Sequence, residues 1–233
     1  MVRLQSGVPS ASVDGSHDAE ARRRRADALE QQLLFELLGA VAGKALLDVG
    51  CGDGALASEL ARRGAIVTGL DADPAIAAAR RRTEIEATQL WLIEGQAERL
   101  PFNDATFDCA LAVTVLCLVR DAERAVAEMA RVLKPGGRLV IGELGRWSLW
   151  AGHRRIRGWF GHPTWRAAMF RTPVELHGLA SAAGLNVVEA RGAVHYPPCG
   201  AAARLFAPVD LWLGRRTIFG AAFIAVSATK PID

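Results

Sequence analysis

The sequence predicts an α/β fold, a parallel sheet with helices on both of its faces. Short, nearly continuous apolar runs such as Ala45–Val49 (ALLDV) and Phe107–Val113 (FDCALAV) alternate with stretches of helical periodicity. Such runs lack the polar alternation of strands with one wet face, so both faces of the sheet must be covered. Aromatic residues are only 6% of the 233 residues against a hydrophobic share of 51%. Alanine, leucine and valine supply most of the rest, which suits helices on a sheet better than a β-sandwich.

Residues 1–17 are small and polar and are expected to form a mobile tail; 18–233 are expected to form a single domain. Leu29, Leu33 and Leu37, with Leu34 and Leu38, share one face of a helix over Asp18–Leu38, which Gly39 and Gly43 end. The Arg22–Arg25 run within it reads as a solvated face balanced by Asp18, Glu20, Asp27 and Glu30. The spacing then predicts a strand at Ala45–Val49, a helix at Ala55–Arg63 and a strand at Ile66–Leu70. Asp73 and Pro74 are the N-cap and first position of a helix over Pro74–Glu86. Leu90–Glu94 and Phe107–Val113 are strands, and Asp121–Leu133 is a helix closed by Pro135-Gly136-Gly137. Arg138–Glu143 is the fifth strand. A helix over Pro173–Ala183 and strands at Leu185–Arg191 and Phe219–Ala228 follow, which gives seven strands in all. Two stretches interrupt this rhythm as insertions, 144–174 and 192–218, the second containing the turn Pro197-Pro198.

The formal charge of +3 is too small a surplus to imply nucleic-acid binding. Cys51, Cys109, Cys117 and Cys199 form no CxxC pair, and with the histidines they show no ligand spacing on one element. Neither a zinc ribbon nor a disulfide scaffold is expected, nor any metal site. Thiols scattered through apolar segments suit a cytoplasmic protein. The first residues lack the apolar core of a signal peptide, and the longest apolar stretches fall short of the roughly 20 residues that span a bilayer.

The strongest motif is LLDVGCGDG, Leu46–Gly54, where a strand turns into a helix through Gly50, Cys51, Gly52, Asp53 and Gly54. Glycines there admit a backbone approach that a Cβ would block, and the helix start offers unpaired amides. The spacing is G-x-G-x-G, not the G-x-G-x-x-G of dinucleotide sites, and Asp48 precedes it. A carboxylate at that point disfavours a pyrophosphate and suits a cationic group. Asp71 ends the second strand, where a carboxylate accepts hydrogen bonds from ribose hydroxyls. Gln96 and Ala97 follow the third strand, placed to meet an adenine edge, and Val113 ends the fourth. These residues project toward the carboxyl edge of the sheet, where open parallel sheets bind ligands.

With those motifs in order, DVGCGDG, the aspartate ending the second strand, G-x-A-E-x-LPF and LKPGG, the stretch Ala45–Glu143 resembles the class I S-adenosylmethionine-dependent methyltransferases. Within them it is most similar to the small-molecule branch that includes the ubiquinone and menaquinone biosynthesis enzymes. The resemblance implies a Rossmann-like, seven-stranded, mostly parallel sheet with an antiparallel last strand. It also implies S-adenosylmethionine as cofactor and S-adenosylhomocysteine as product. The glycine loop (Gly50, Cys51, Gly52, Gly54) would hold the methionine part, Asp71 with Ala72 the ribose, and Gln96 and Ala97 the adenine, beside Asp48 and Val113. Departures from the pattern are Gln96 where an aspartate is usual, no histidine after the fourth strand, and no Tyr-Asp-x-Trp-like cover near the N-terminus.

Methyl transfer from a sulfonium needs alignment and exclusion of water more than a catalytic triad. The acceptor side is expected in the insertions. Leu144–Val174 holds Trp147, Trp150, Trp159 and Trp165 with six arginines and no acidic residue. Three readings of it stand side by side: a packing flap, a wall for a planar, hydrophobic or anionic acceptor, and peripheral contact with an anionic membrane surface. Candidate proton acceptors are His153, His162, His195, Tyr196 and Glu143, with His195 and Tyr196 preferred as catalytic residues. Two other function classes remain open at this point, an NAD(P)-dependent oxidoreductase and a non-catalytic S-adenosylmethionine-binding protein.

Overall fold

Side-chain alternation along the strands sorts the interior into two layers. The computed structural model describes residues 13–72, 90–161, 169–197 and 199–232. Residues 1–12, the predicted helix Pro74–Glu86 with its Asp73 cap, and His162, Trp165 and Arg166 lie outside the described residues. Strands β1 (Ala45–Val49), β2 (Ile66–Asp71), β3 (Leu90–Glu94), β4 (Phe107–Val113), β5 (Leu133–Leu144), β6 (Asn186–Ala193) and β7 (Phe223–Thr229) form one sheet in the order β3-β2-β1-β4-β5-β7-β6. The pairings from β3 through β5 are parallel, and β7 is antiparallel to both β5 and β6. The expected antiparallel last strand is present, inserted between the fifth and sixth.

On one face Leu47, Ala110, Ala112, Leu139 and Ile141 pack against α3 (Ala122–Val132) and α5 (Pro173–Ala182). Their strand neighbours Leu46, Cys109, Leu111 and Val140 point the other way, against α1 (Val13–Leu38), α2 (Ala55–Arg62) and α6 (Gly200–Gly214). This period-two division is what a doubly covered sheet requires. The helices start where local chemistry allows. Asp121 accepts the Arg124 amide at 2.9 Å to cap α3, and Thr172 with Glu175 forms a reciprocal capping box at α5.

Several boundaries differ from the sequence reading. Helix α1 already begins at Val13, within the expected tail. Strand β5 begins at Leu133, so Lys134-Pro135-Gly136-Gly137 is an irregular strand start rather than a loop after the helix. The carbonyls at the end of α3 are satisfied by Lys230, whose Nζ donates to Ala130 O at 2.8 Å, and by the Ala105 and Thr106 amides, which donate to Arg131 O and Val132 O. Strand β7 starts at Phe223 because residues 219–222 turn over Gly145, whose amide donates to Ala222 O. Helices α4 (Leu149–Trp159) and α6 occupy the two expected insertions.

The direction of α1 matters for function. Its last turn is tied to the start of β5 by Arg138 Nη1 donating to Leu37 O at 2.8 Å. That end lies at the amino edge of the sheet, so the earlier turns of α1 reach toward the carboxyl edge. The segments after β1, β2, β4, β5 and β6 gather at the same edge.

Candidate active site

Between Val49 and Ala55 the chain reverses through Gly50, Gly52 and Gly54, with φ of 73°, 54° and 70°. Side chains seldom adopt that conformation, so glycine is required at each. At Gly50 there is a second reason, and it differs from the one the sequence suggests: an added Cβ would lie 2.3 Å from Val115 Cγ2. The protein's own packing, rather than an approaching ligand, fills that space. The loop is strapped to β2 by the Gly50 and Cys51 amides, both donating to Leu70 O, and by the Gly52 amide donating to Asp71 Oδ2 at 2.8 Å. Gly54 begins α2 without a capping side chain.

Asp48 is 2% exposed, and its Oδ2 has no hydrogen-bond partner. Burial, and then the charge of Asp71, pushes its carboxyl up to about 7. The same two carboxylates, added to burial, push the Cys51 thiol up. Asp48, Cys51 and Asp71 therefore face one another around one place. Ala72 is exposed just beyond β2, Gln96 is exposed after β3, Ala97 is buried beside it, and Val113 is half-buried at the end of β4.

After β4 the backbone takes an uncommon turn at Thr114, a β-branched residue at φ 53°. Glu143, fully buried at the end of β5, holds the next turn by accepting the Leu116 amide at 2.7 Å. Its other oxygen has no partner, and burial raises its carboxyl to about 7. Arg171 Nη2 donates to Leu116 O, and the Met169 amide to Cys117 O, so the chain after α4 crosses the tip of β4.

Farther along the edge, the Trp150 indole donates to Tyr196 O at 2.8 Å. The guanidinium carbons of Arg22, from α1, and Arg154, from α4, stand 5.8 Å and 5.5 Å from its ring centre. His195 is occupied at both ring nitrogens: Nε2 lies 3.1 Å from Thr217 O and Nδ1 3.4 Å from Asp210 Oδ1. Asp210, buried in α6, also accepts the Val194 and His195 amides at 2.7 Å and 2.8 Å, holding Val194 at φ 62°. Tyr196 is 2% exposed, and its hydroxyl has no partner.

Residues 47–141 match the family described as Methyltransferase domain. The chain is 38% identical over 150 residues to the demethylmenaquinone methyltransferase of Tropheryma whipplei, covering 56% of this chain and 62% of that protein. It is 33% identical over 165 residues to the ubiquinone biosynthesis O-methyltransferase of Idiomarina loihiensis, covering 66% of this chain and 67% of that one. A crystal structure of an S-adenosylmethionine-dependent methyltransferase from Thermotoga maritima superposes with a TM-score of 0.69 at 25% identity, over 94% of this chain and 95% of the other. The chain belongs to the class I S-adenosylmethionine-dependent methyltransferases. The matched region spans about three fifths of the Tropheryma relative's length.

The site suits the methyltransferase cofactor, S-adenosylmethionine. A cation placed beside Asp48 Oδ2 would satisfy a buried oxygen that nothing else reaches. A pyrophosphate there would meet two carboxylates instead. The strand order also departs from the 3-2-1-4-5-6 of dinucleotide folds by the insertion of β7, so the nicotinamide reading loses its support. Among the described residues no group of three or more His, Cys, Asp or Glu side chains could hold a metal ion, and no helix is long and apolar enough to cross a membrane.

Sequence reasoning missed Thr114 and Asp210. Asp210 could have been found as the lone acid in the apolar helix Gly200–Gly214. Nothing in the sequence marks Thr114 as a left-handed residue.

Proposed function

We propose that this methyltransferase moves the methyl group of S-adenosylmethionine to a small organic acceptor. The observation that carries the reading is the buried, unpartnered Oδ2 of Asp48 beside Asp71, at the glycine loop that Asp71 tethers. In this reading Asp48 faces the cationic methionine end, and Gly50, Cys51, Gly52 and Gly54 cradle it with backbone. Asp71 and Ala72 receive the ribose, Gln96 and Ala97 the adenine, and Val113 forms a wall between cofactor and acceptor. Gln96 can accept from the adenine amino group through its amide oxygen, without the charge an aspartate would add.

When bound, S-adenosylmethionine supplies a methyl carbon already activated by its sulfonium. The chain's own contribution is to align the acceptor and exclude water, tasks that fall to the turn Thr114–Leu118 and the strap across it. Of the two residues preferred for proton handling, Tyr196 keeps an uncommitted hydroxyl, whereas we assign His195 to bracing α6 through its engaged nitrogens. Within 144–174, Trp147, Trp159 and Phe160 are exposed, the last two at 86% and 88%, and no acidic residue accompanies them. We assign this face to contact with an anionic bilayer surface that delivers a hydrophobic acceptor.

The test is calorimetric titration of S-adenosylhomocysteine into the protein and its Asp71→Ala variant, with mass spectrometry of acceptor mixtures incubated with S-adenosylmethionine. Saturable binding, weakened about 10-fold or more in the variant by loss of a charged hydrogen-bond acceptor, and an acceptor gaining one methyl support the reading. Equal binding by the variant, or none by the intact protein, refutes it.

A further inference from the structure

Helix α6, GAAARLFAPVDLWLG, has two ionisable residues in its 15, Arg204 and Asp210. One side of it packs on the body of the protein: Ala203, Asp210 and Gly214, spaced i, i+7 and i+11, are buried. The opposite side is apolar as well. Leu205, Val209 and Trp212, spaced i, i+4 and i+7, form a stripe that faces solvent, with Phe206 beside it. Leu205 is 71% and Trp212 56% exposed. A helix apolar on all sides is ordinarily covered on all sides. We propose that the outer face of α6 rests on an anionic lipid bilayer, its apolar stripe among the acyl chains and its arginines among the headgroup phosphates. The inference deepens the bilayer reading given above for 144–174, adding a second surface on observations of its own.

Two other helices show the usual outward chemistry. Charges in ion pairs line the outer sides of α2 and α3, Arg62 with Glu59 at 2.9 Å and Arg131 with Glu128 at 2.7 Å. The bare stripe on α6 is therefore a local feature and not a habit of the chain.

Charge decides what covers the stripe. From Gly192 through Thr229 the sequence holds one acidic residue, Asp210. It is turned inward, where it accepts the Val194 and His195 amides. The same stretch holds Arg204, Arg215 and Arg216, all exposed. A second copy seated on the stripe about a twofold axis would present this same face. Arginines would then meet arginines, with no exposed acid on either helix to offset them. A bilayer carrying negative headgroups fits both the apolar stripe and the charge around it.

Trp212 and Arg216 join the two chemistries. The Arg216 guanidinium carbon stands 4.1 Å from the Trp212 ring centre. An indole favours the boundary between acyl chains and headgroups, and a cation stacked on it at that depth meets phosphate. The face is also presented ready-made. Asp210 ties α6 to the end of β6, and Arg215 pairs with Glu36 of α1 at 2.9 Å, so no refolding precedes contact.

The test is sedimentation of the full chain with vesicles of phosphatidylcholine alone and of phosphatidylcholine mixed with phosphatidylglycerol. The expected result is binding to the mixed vesicles, weaker binding to the neutral ones, and loss of the difference in high salt. Val209→Glu sets a carboxylate in the stripe and should lower affinity for the mixed vesicles about 10-fold or more. Arg216→Gln should lower it about 5-fold, the worth of one cation near such a surface. Melting temperature and S-adenosylhomocysteine affinity should stay as in the intact chain; if Val209→Glu proves unstable, Trp212→Ala, a truncation of an exposed ring, takes its place and should also weaken binding. Unchanged vesicle binding in these variants overturns the proposal. If Trp159→Ala/Phe160→Ala loses binding in the same assay, the reading of 144–174 then stands alone. No binding of the intact chain to either vesicle overturns both. A concentration-dependent dimer that Val209→Glu dissociates, with vesicle binding unaffected, assigns the stripe to a second copy and overturns the proposal too.

Discussion

A Cβ built on Gly50 falls 2.3 Å from Val115 Cγ2, so the first glycine of the loop and the turn after β4 are fitted to each other. Val115 is itself buried. Gly50→Ala must therefore displace Val115 and also hold an alanine at φ 73°, which alone costs about 1–2 kcal/mol. Total destabilisation is expected to reach about 3 kcal/mol once the overpacking is added. Val115→Ala opens the space, so Gly50→Ala/Val115→Ala should lose less stability than the two single changes added together. Chemical denaturation of the four proteins of this cycle measures the coupling, and strict additivity would contradict it.

If Asp48 faces the cationic end of the cofactor as proposed, it sets the pH dependence of cofactor affinity. Its carboxyl is raised to about 7 by burial and by Asp71, and a cation beside it favours the ionised form. Binding of S-adenosylmethionine should therefore weaken as pH falls through 7, by about 10-fold between pH 8 and pH 6 for one linked proton. Asp48→Asn should bind more weakly at pH 8 and show a flat profile. Calorimetry over that range decides it.

The sheet was legible because its strands carry an uninterrupted apolar signal and two of its helices carry side-chain caps. Asp121 and Thr172 stand where the chain turns helical, and Asp71 ends β2. The glycine loop was legible for a related reason: Gly50, Gly52 and Gly54 stand close together in the chain, so their spacing along it is their spacing in the loop. Contacts between distant elements were not legible: the Trp150 indole on the Tyr196 carbonyl joins α4 to the segment after β6, and no local pattern announces it. His195 shows what residue type alone leaves out. An imidazole in an apolar segment looked available for proton transfer, but the buried acid that engages it, Asp210, lies a full helix away in sequence.

Stability should fall as pH rises from about 4 to about 7. Asp48 and Glu143 have folded-state values near 7, against 3.8 and 4.5 for the free groups. Between those limits the folded chain holds protons that the unfolded chain has released, so stability declines across the window and levels off above 7. The carboxylates with lowered values, Glu128 and Asp108 beside Arg131 and Lys134, act only at lower pH, where their protonation removes stability. The protein without cofactor should thus melt higher at pH 5 than at pH 8. At about 1.4 kcal/mol per pH unit for each linked proton, each raised carboxyl costs on the order of 2–3 kcal/mol between pH 5 and pH 8, or roughly 5–10 °C for a chain of this size. Glu143→Gln should flatten part of the slope in a calorimetric scan, because the amide oxygen can still accept the Leu116 amide and carries no charge.

Asp210 clamps the segment that follows β6. Its carboxylate accepts two backbone amides, at Val194 and His195, and keeps the β-branched Val194 in the left-handed region. Without it, those buried amides lose their acceptor and the strain at Val194 is released, which moves Tyr196 and the Trp150 indole bonded to its carbonyl. Hydrogen bonds to a charged group contribute about 1.5–3 kcal/mol each, so Asp210→Ala should cost roughly 3–5 kcal/mol. Asp210→Asn retains one oxygen acceptor and should cost less. Val194→Gly, which accepts the same backbone angle without strain, should recover part of the loss in Asp210→Asn. The functional signature separates this clamp from a general loss of folding: in the surviving Asn variant the acceptor KM should rise several-fold while affinity for S-adenosylhomocysteine is unchanged. A parallel loss of nucleoside affinity would mean that this segment and the glycine loop are not independently held.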